Sequence, residues 1–406
     1  MSASHSVPVW LLPLVALGLA ACSPPAPLPN DAYIWQRKWT PALTDALRDQ
    51  QQLVQRWRVL AAELETGPTT GQWRVMQPDW QSLRASQPGV VAVFRLNGQT
   101  ARWDEAQALA LIRSTLDQWQ ARGLRLAGVE VDYDCGTARL DNYRAFLGRL
   151  RAQLPPALPL SITALPAWLD NPAALTALLA VPDEAVLQVH AVRNPAQGLF
   201  DGPIALDWAE RFAERTGRPW RIALPTYGTR VVWDRAGRLA GAESETPLLA
   251  SAGGASRELL VTPAEMADFV QQLEKRRPAG LAGLVWFRLP TRDDRRAWSL
   301  TSWRAVLSRQ PLRSTIELTQ RQPAPGLYEL WLANRGNADA LLPSAIRWPS
   351  RCMAADGSGG YALDYGKDGP FLHLKQPALL RAGERRQAGW LRCEQLDAAK
   401  DIHVQD

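Results

Sequence analysis

The chain has 406 residues, of which 46% are hydrophobic, and this length exceeds what one compact domain usually needs. Its 46 basic and 40 acidic residues give a net charge of +6 without a long run of like charge, which argues against a nucleic-acid-binding arm. We therefore expect one large domain and one smaller one, and no nucleic-acid partner.

The amino terminus predicts export from the cytoplasm. Its apolar run from Val7 to Ala21 is shorter than the roughly 20 residues of a transmembrane helix and ends in small residues, as export signals do. The tetrad "LAAC", which ends at Cys22, resembles the lipobox of bacterial lipoproteins and implies removal of residues 1–21 and lipidation of Cys22. Ser23 resembles a signal for outer-membrane sorting. We expect a lipid anchor in the bacterial envelope, facing the periplasm, with a Pro-rich tether over residues 22–31.

Residues 32–312 predict a (β/α)8 barrel of the TIM type. Short apolar strands alternate there with amphipathic helical stretches, an order typical of a parallel sheet with crossover helices. Eight such units over roughly 280 residues favour a closed barrel over an open sheet. Thr262 and Glu265 have the spacing of a capping box at the start of a helix. The predicted strands are residues 32–39, 58–64, 89–98, 127–134, 159–166, 185–192, 220–228 and 280–290.

The pattern changes after the seventh strand and again near residue 313. Residues 231–261 are rich in Gly, Ala and Ser and predict an inserted loop. Residues 313–406 alternate in polarity and predict a small β-sandwich-like domain with a flexible loop over residues 351–370.

The cysteines are interpreted by compartment, because exported proteins can hold disulfides. Cys352 and Cys393 lie in the same C-terminal region and are the candidate pair, which leaves Cys135 as a packed free thiol. No cysteine or histidine spacing indicates a metal site, and no cofactor is expected.

Alternation along the predicted strands assigns one face of each to the barrel lumen. In "GVEVDYDC", residues 128–135, the apolar side chains are expected to face the helices, which puts Glu130, Asp132 and Asp134 in the lumen. The same test leaves polar or aromatic residues near the carboxyl ends of the other strands, where the active sites of such barrels lie. These residues are Trp35, Arg37, Glu63, Arg95, Asn97, Thr163, Gln188, His190, Tyr227, Trp286 and Arg288.

Carboxylates on one face should raise one another's pKa values, because like charges disfavour joint ionisation, and a carboxyl group with a raised pKa can act as a general acid. Asp134, nearest the mouth, is the candidate acid, with Asp132 as its support and Glu130 as a deeper anchor. The alternative is a buried ion-pair lattice of these acids with Arg37, Arg95 and Arg288, in which the lumen side chains are structural.

The fourth predicted strand resembles the DxxDxDxE signature of the family 18 glycoside hydrolases, the chitinase-like barrels. Aligned on it, the chain has Ala127, Glu130, Asp132 and Asp134 at the four acidic positions, so one acid is lost and two change type. Trp286 resembles a tryptophan on the eighth strand of that family. In the family, this tryptophan forms the floor of the sugar-binding site. The resemblance implies a glycan substrate and a proton donor at Asp134.

Over nearly the whole barrel, the chain resembles more closely a family of exported bacterial proteins catalogued as domain of unknown function 3142. The patterns that carry this resemblance are "YxWQRxW" at residues 33–39 and "GVxxDxD" at residues 128–134. The family implies a barrel related to glycosidases and no established activity.

Three functions are compatible with the sequence. The first is an envelope-anchored glycoside hydrolase-like protein that acts on a β-linked or N-acetylated glycan, with Asp134 as general acid and Glu63 as second carboxylate if the reaction uses a protein nucleophile. The second is a carbohydrate-binding lipoprotein that retains the barrel without catalysis. The third is a metal-dependent hydrolase that uses Asp132, Asp134 and His190. The predicted substrate contacts are Trp35, Arg37, Arg95, Gln188, His190, Tyr227, Trp286 and Arg288.

Overall fold

The computed structural model describes residues 26–65, 71–98, 100, 103–190, 198–243, 255–349 and 352–405. The predicted export signal and the predicted lipidation site, Cys22, lie outside these residues. Within the described ranges, no helix combines the length and the apolar character that crossing a membrane requires.

The predicted barrel is confirmed. Eight parallel strands form a closed ring in the order β1-β2-β4-β5-β6-β7-β8-β12, and β12 pairs back to β1. A further strand, β3, pairs antiparallel with β2 outside the ring. The strands are β1 (Asn30–Ile34), β2 (Arg56–Glu65), β3 (Gln72–Val75), β4 (Gly89–Leu96), β5 (Leu126–Tyr133), β6 (Leu160–Ala164), β7 (Glu184–Gln188), β8 (Trp220–Pro225), β9 (Thr229–Trp233), β10 (Leu239–Glu243), β11 (Ser256–Leu259) and β12 (Leu281–Phe287).

Most helices between the strands begin after a residue whose side chain caps them, and α4, which follows Arg139, is an exception. The capping box predicted at α7 is confirmed, because the Thr262 amide donates to the Glu265 carboxylate at 2.7 Å and the Glu265 amide donates to the Thr262 hydroxyl at 3.2 Å. The helices are α1 (Pro41–Gln50), α2 (Trp80–Ala85), α3 (Glu105–Ala121), α4 (Leu140–Gln153), α5 (Pro172–Leu179), α6 (Gly202–Ala213), α7 (Pro263–Arg276), α8 (Leu300–Leu307) and α9 (Ala398–Asp401).

Apolar side chains pack on both faces of the barrel strands. On the outer face, Val129 and Val131 of β5 join the core that the helices cover. The lumen holds a separate, smaller cluster that includes Tyr33, Leu60, Val93, Val186, Ala223 and Val285. The predicted alternation in β5 is therefore found, with valines outside and acids inside.

The predicted C-terminal β domain is also confirmed. One antiparallel sheet has the order β13-β14-β21-β17 and a second has the order β18-β19-β16-β22, and side chains of both share one apolar core. A disulfide joins Cys352 and Cys393, which are opposite each other on β17 and β21. The strands are β13 (Ile316–Ala324), β14 (Leu327–Asn334), β15 (Ala340–Leu341), β16 (Ala345–Arg347), β17 (Cys352–Gly357), β18 (Tyr361–Gly366), β19 (Gly369–Leu374), β20 (Leu379–Leu380), β21 (Arg385–Cys393) and β22 (His403–Gln405).

Two segments predicted as loops contain sheet. Within residues 231–261, β10 and β11 flank β9 in an antiparallel sheet, because the β-branched "RVVW" segment at 230–233 favours an extended strand on which both neighbours pair. Within residues 351–370, β17 and β18 are joined by a turn in which Gly359 and Gly360 have positive φ. Gly359 and Gly360 serve this turn, and pairing with neighbouring strands orders the residues on either side of it.

Candidate active site

A network of buried charged side chains fills the half of the lumen that lies near the amino ends of the strands. Arg58 is fully buried, and its guanidinium group donates to three carboxylates, including Asp31 at 3.1 Å. Glu184 also accepts from two neighbouring arginines at 2.9 and 3.0 Å. The acidic and basic side chains of the network are equal in number, so their charges balance, and we interpret this half of the lumen as structural. The members are Asp31, Glu130, Glu184, Arg56, Arg58 and Arg221.

Glu130 belongs to this deep network. It accepts hydrogen bonds from Arg58, from the Tyr33 hydroxyl at 2.7 Å and from the Ser161 hydroxyl at 3.0 Å. Burial raises the pKa of Glu130, while Arg58 opposes the shift. Burial would also raise the pKa of Glu184, but its arginine neighbours lower it to about 2. The sequence placed Glu130 with Asp132 and Asp134 as their anchor, whereas its hydrogen bonds hold it to the layer below.

Asp132 and Asp134 lie above this network, at the carboxyl end of β5. Asp132 accepts from the Thr163 hydroxyl at 2.6 Å and from the Gln188 amide at 3.1 Å. Arg95 lies between the two acids, with Nε 3.9 Å from Asp132 and Nη2 3.6 Å from Asp134. The Asp132 side chain is 5% exposed and that of Asp134 is 35% exposed, so the outer acid can meet a ligand and the inner one supports it.

Both carboxyl groups are easier to protonate than ordinary aspartates. Burial and the negative charge of Asp134 raise the pKa of Asp132 to about 7, despite the opposing charge of Arg95. Burial also raises the pKa of Asp134, and Arg95 again opposes the shift. The predicted effect of one acid on another is therefore found for Asp132, whose pKa the charge of Asp134 raises, but burial is the largest cause of the raised pKa of both groups.

The backbone at Asp134 is held from two sides. Gly98, which follows β4, lies so close that a Cβ atom there would be 1.7 Å from the carbonyl oxygen of Asp134. On the other side, the Trp168 indole donates to the carbonyl oxygen of Cys135 at 2.8 Å. Cys135 is buried, and burial raises the pKa of its thiol to about 11, which is unfavourable for a nucleophile.

Aromatic rings surround the mouth of the lumen on the side opposite the two acids. Trp35 packs edge-on against Phe287 at 5.1 Å, and the Arg95 guanidinium lies 5.7 Å from the Trp35 ring centre. His190 stacks on Phe287 at 5.0 Å, and its Nδ1 is 3.5 Å from the Tyr227 hydroxyl. Burial lowers the pKa of His190 to about 4, so the imidazole is neutral near pH 7.

The prediction that Trp286 faces the lumen is wrong. Its side chain is fully buried on the outer face, where the indole donates to Asn30 at 2.9 Å and packs against Trp298. In the sheet it is in register with Leu224 and Ala32, which also belong to the outer core, and neighbouring strands in register share their faces. Phe287, which sequence reasoning missed, takes the lumen position, as the alternation with Val285 would have indicated.

Ion pairs fix the two predicted arginines at the rim. Arg37, beyond the end of β1, holds Glu63 in a two-pronged contact at 2.5 and 2.9 Å. Arg288, after β12, pairs with Asp294, and its guanidinium lies 5.4 Å from the ring centre of Tyr227. The buried ion-pair lattice that the sequence offered as an alternative therefore exists in part at the rim, through Arg37 and Arg288. The buried network below is built around Arg58, which was not predicted.

The members of this network that sequence reasoning missed are Asp31, Arg56, Arg58, Glu184 and Arg221. The predicted functional residues are at the carboxyl ends of the strands, whereas these residues lie at or near the amino ends. Arg58 could have been found, because it alternates with Leu60, a lumen residue, along β2.

The C-terminal domain holds the loop between β12 and α8. Arg381 donates to the carbonyl oxygens of Arg292, Asp294 and Ala297, at 3.2 and 2.9 Å for the first and last. The Asp339 carboxylate accepts from the Ser299 amide at 2.7 Å at the start of α8. The domain therefore fixes the backbone of Asp294, the partner of Arg288 at the barrel mouth.

In the described part of the chain, no three His, Cys, Asp or Glu side chains come together as a metal site would require. Asp132, Asp134 and His190 thus do not form the cluster that the metal-dependent alternative needs.

The raised pKa of Asp132 predicts a pH-dependent stability. The folded protein retains a proton on Asp132 at pH values where the unfolded chain, with an ordinary aspartate near 3.8, has lost it. The stabilising effect of that proton is present below pH 3.8 and is lost as the pH rises to about 7. Asp132→Asn does not titrate, so its free energy of unfolding relative to the wild type should rise over this interval.

Urea denaturation at several pH values between about 4 and 7 measures this difference. The matched control is the same substitution at an exposed position, Asp141→Asn, measured under the same conditions. A flat difference for Asp132→Asn would contradict the raised pKa.

Comparison with protein families decides the relationship of the barrel. A family described as a domain of unknown function (DUF3142) matches residues 86–292, just over half of the chain. The chain belongs to this family. A second family, also described as a domain of unknown function (DUF8456), matches residues 317–394 in the C-terminal domain. Comparison with curated proteins gives no match.

Solved structures similar to this member of the DUF3142 family include a chitinase, a spore cortex-lytic enzyme and an inhibitor protein. A chitinase from Chromobacterium violaceum is 17% identical, with a TM-score of 0.48 over 69% of this chain and 98% of its own. The spore cortex-lytic enzyme SleL of Bacillus cereus is 13% identical, with a TM-score of 0.48 over 70% and 74%. A xylanase and alpha-amylase inhibitor protein from Scadoxus multiflorus is 10% identical, with a TM-score of 0.44 over 70% and 100%. The barrel assignment does not depend on them, because it follows from the strand order.

Proposed function

We propose that the barrel is a glycoside hydrolase-like site that acts on a glycan, with Asp134 as general acid. The observation that carries this proposal is the pairing of a partly exposed Asp134 with a buried Asp132 at the carboxyl end of β5, both with raised pKa values. A protonated Asp134 would donate its proton to the glycosidic oxygen as the bond to the leaving sugar breaks. Thr163 and Gln188 hold Asp132 in place beneath it.

Glu63 is the candidate second carboxylate if the reaction uses a protein nucleophile. It lies at the carboxyl end of β2, and Arg37 holds it through both carboxylate oxygens. A retaining mechanism would require this carboxylate to attack the anomeric carbon as the glycosidic bond breaks and Asp134 protonates the departing oxygen, and water would then hydrolyse the covalent intermediate.

A second candidate function is glycan binding without hydrolysis. Arg95 lies within 4 Å of both acids, and its positive charge opposes the protonation that a general acid requires. In this function the acids and Arg95 would serve as hydrogen-bonding partners for sugar hydroxyl groups.

Turnover of a panel of natural oligosaccharides, followed by the release of reducing ends, together with calorimetric binding of the same oligosaccharides, tests both functions. Hydrolysis by the wild type that is lost in Asp134→Asn supports the first. Binding without hydrolysis by either protein supports the second, and neither binding nor hydrolysis of any glycan in the panel would count against both.

We also propose that the chain is anchored in the bacterial envelope, at the outer membrane and facing the periplasm, through a lipid on Cys22. The carbonyl oxygen of Pro29 accepts a hydrogen bond from the Leu284 amide, and Pro29 leads into the amino end of β1. This position supports an anchor at the end of the barrel where the strands begin. The anchor would therefore join the barrel at the end opposite Asp134, and the mouth would point away from the membrane.

Labelling cells with a tagged fatty acid tests the anchor. We expect the wild type to be labelled and to fractionate with membranes, and Cys22→Ser to lose both properties. Ser23→Ala is the matched control and should remain labelled. Label retained in Cys22→Ser would exclude this site of attachment.

A further inference from the structure

A basic cavity borders the mouth of the barrel. Its volume is about 600 Å³, and it is bounded by the segment after β1 and by the loop after β12. The carboxylates in its lining are Asp293 and Asp294. Its basic lining is Arg37, Lys38, Arg74, Arg288, Arg295 and Arg296.

A second cavity of about 420 Å³ lies between the barrel and the C-terminal domain. Arg295 and Arg296 line both cavities, so the two share a wall. The second cavity is also lined by the basic residues Lys375, Arg381 and Arg386 and by the acidic residues Glu258 and Asp339. Apolar surface from Leu374, Pro377 and Leu379 completes the lining, which suits the apolar faces of sugar rings.

Several of these cations are available to a ligand. Lys38 and Lys375 are exposed. Arg295 is 80% exposed, and the nearest carboxylate with which it pairs, Glu384, is 4.0 Å away. Exposed ion pairs of this kind contribute little, so an anion on a ligand can replace them at small cost. Arginine side chains also match the geometry of carboxylates and phosphates.

We propose that a glycan whose sugars carry carboxylate or phosphate groups binds along these two cavities, from the barrel mouth to the C-terminal domain. The inference rests on the proposed function for its sugar component and adds the charge of the substrate and a binding role for the C-terminal domain. A neutral glycan would gain nothing from the positive charges of Lys38, Arg295 and Lys375, which line these cavities and are exposed.

The test is calorimetric binding to the full chain with the Asp134→Asn substitution, which avoids turnover and keeps both cavities intact. The probes are hexagalacturonate, an oligosaccharide that bears mannose 6-phosphate, the neutral cellohexaose and chitohexaose, and the peptide hexaglutamate. At least one acidic oligosaccharide should bind about 10-fold more tightly than the neutral ones at low salt, and the preference should shrink between about 50 and about 500 mM salt. The tighter of the two identifies the anionic group.

The triple variant Lys38→Gln, Arg295→Gln, Lys375→Gln removes three cations from the two cavities. It should weaken binding of the acidic oligosaccharide by about 10-fold or more and leave binding of neutral sugars unchanged. The matched control removes three exposed cations elsewhere, by Arg48→Gln, Arg144→Gln and Lys400→Gln, and should retain the preference.

Equal binding of acidic and neutral oligosaccharides would overturn the charge inference and leave the proposed glycan function intact. Equal weakening by the triple variant and the control would also overturn it, because the effect would then come from net charge. Equal binding of hexaglutamate and the acidic oligosaccharides would overturn the assignment of the occupant as a glycan.

Discussion

Replacing Asp134 with asparagine is expected to lower glycan hydrolysis by about 10²- to 10⁴-fold, the usual contribution of a general acid. Asparagine keeps the size of the side chain but cannot donate a carboxyl proton to the leaving oxygen. The affinity for substrate should change little, because the Asp134 side chain is 35% exposed and lies 3.6 Å from Arg95. The measurement is kcat and KM on a glycoside that the wild type hydrolyses, and the loss should fall on kcat.

Asp141→Asn is the matched control for this variant. Asp141 lies in the first turn of α4, its side chain is 76% exposed, and the same chemical change there should leave kcat unaltered. A leaving group with a low pKa, such as a nitrophenol, needs little protonation and should recover part of the rate in Asp134→Asn. Wild-type activity in Asp134→Asn on natural glycans would refute the assignment of the acid.

Replacing Arg58 with leucine is expected to lower the free energy of unfolding by about 3–5 kcal/mol, because it removes a buried positive charge and leaves the buried carboxylate of Glu130 without its arginine. Arg58 is fully buried at the centre of the deep network, where it contacts Asp31, Glu130 and Glu184. Arg56 and Arg221 still pair with Glu184, but Glu130 loses its arginine. Urea denaturation followed by tryptophan fluorescence measures the change.

The control is Arg48→Leu on α1. Arg48 pairs with Asp45 and Asp49 at the surface with a side-chain exposure of 63%, and exposed pairs of this kind contribute little to stability. If Arg58→Leu does not fold, Arg58→Lys, which keeps the charge but not the planar fork, should fold with an intermediate loss of stability. Similar unfolding free energies for Arg58→Leu and Arg48→Leu would show that the network is dispensable.

The period of hydrophobicity predicted the architecture, because a parallel barrel needs strands that are apolar on the face toward the helices and helices between them. The strand ends were less well predicted. The first strand ends at Ile34 and not at residue 39, so Trp35 and Arg37 lie in the connection to α1. Hydrogen bonds to neighbouring strands decide where a strand ends, and those neighbours are distant in sequence.

The acids of β5 show how far local pattern reaches into function. Alternation placed Glu130, Asp132 and Asp134 on one face, and the structure has them there, but in two separate environments. Glu130 joins Arg58 and Tyr33 in the buried network, while Asp132 and Asp134 share Arg95 near the mouth. The division depends on residues from β1, β2 and β4, which no reading of β5 alone could include.

Local order along the chain was sufficient for the barrel, the C-terminal sheets, the capping box of α7 and the face of the strand on which the acids lie, because each depends on residues close together in sequence or on simple periodicity. Tertiary packing decided the rest. It turned Trp286 outward and Phe287 inward through register with β1 and β8, brought six charges from five strands together beneath the site, and made the C-terminal domain the support of the loop that carries Asp294. Such contacts join residues far apart in the chain. The burial of Asp132 and Asp134, which raises their pKa values, exists only once the barrel has closed.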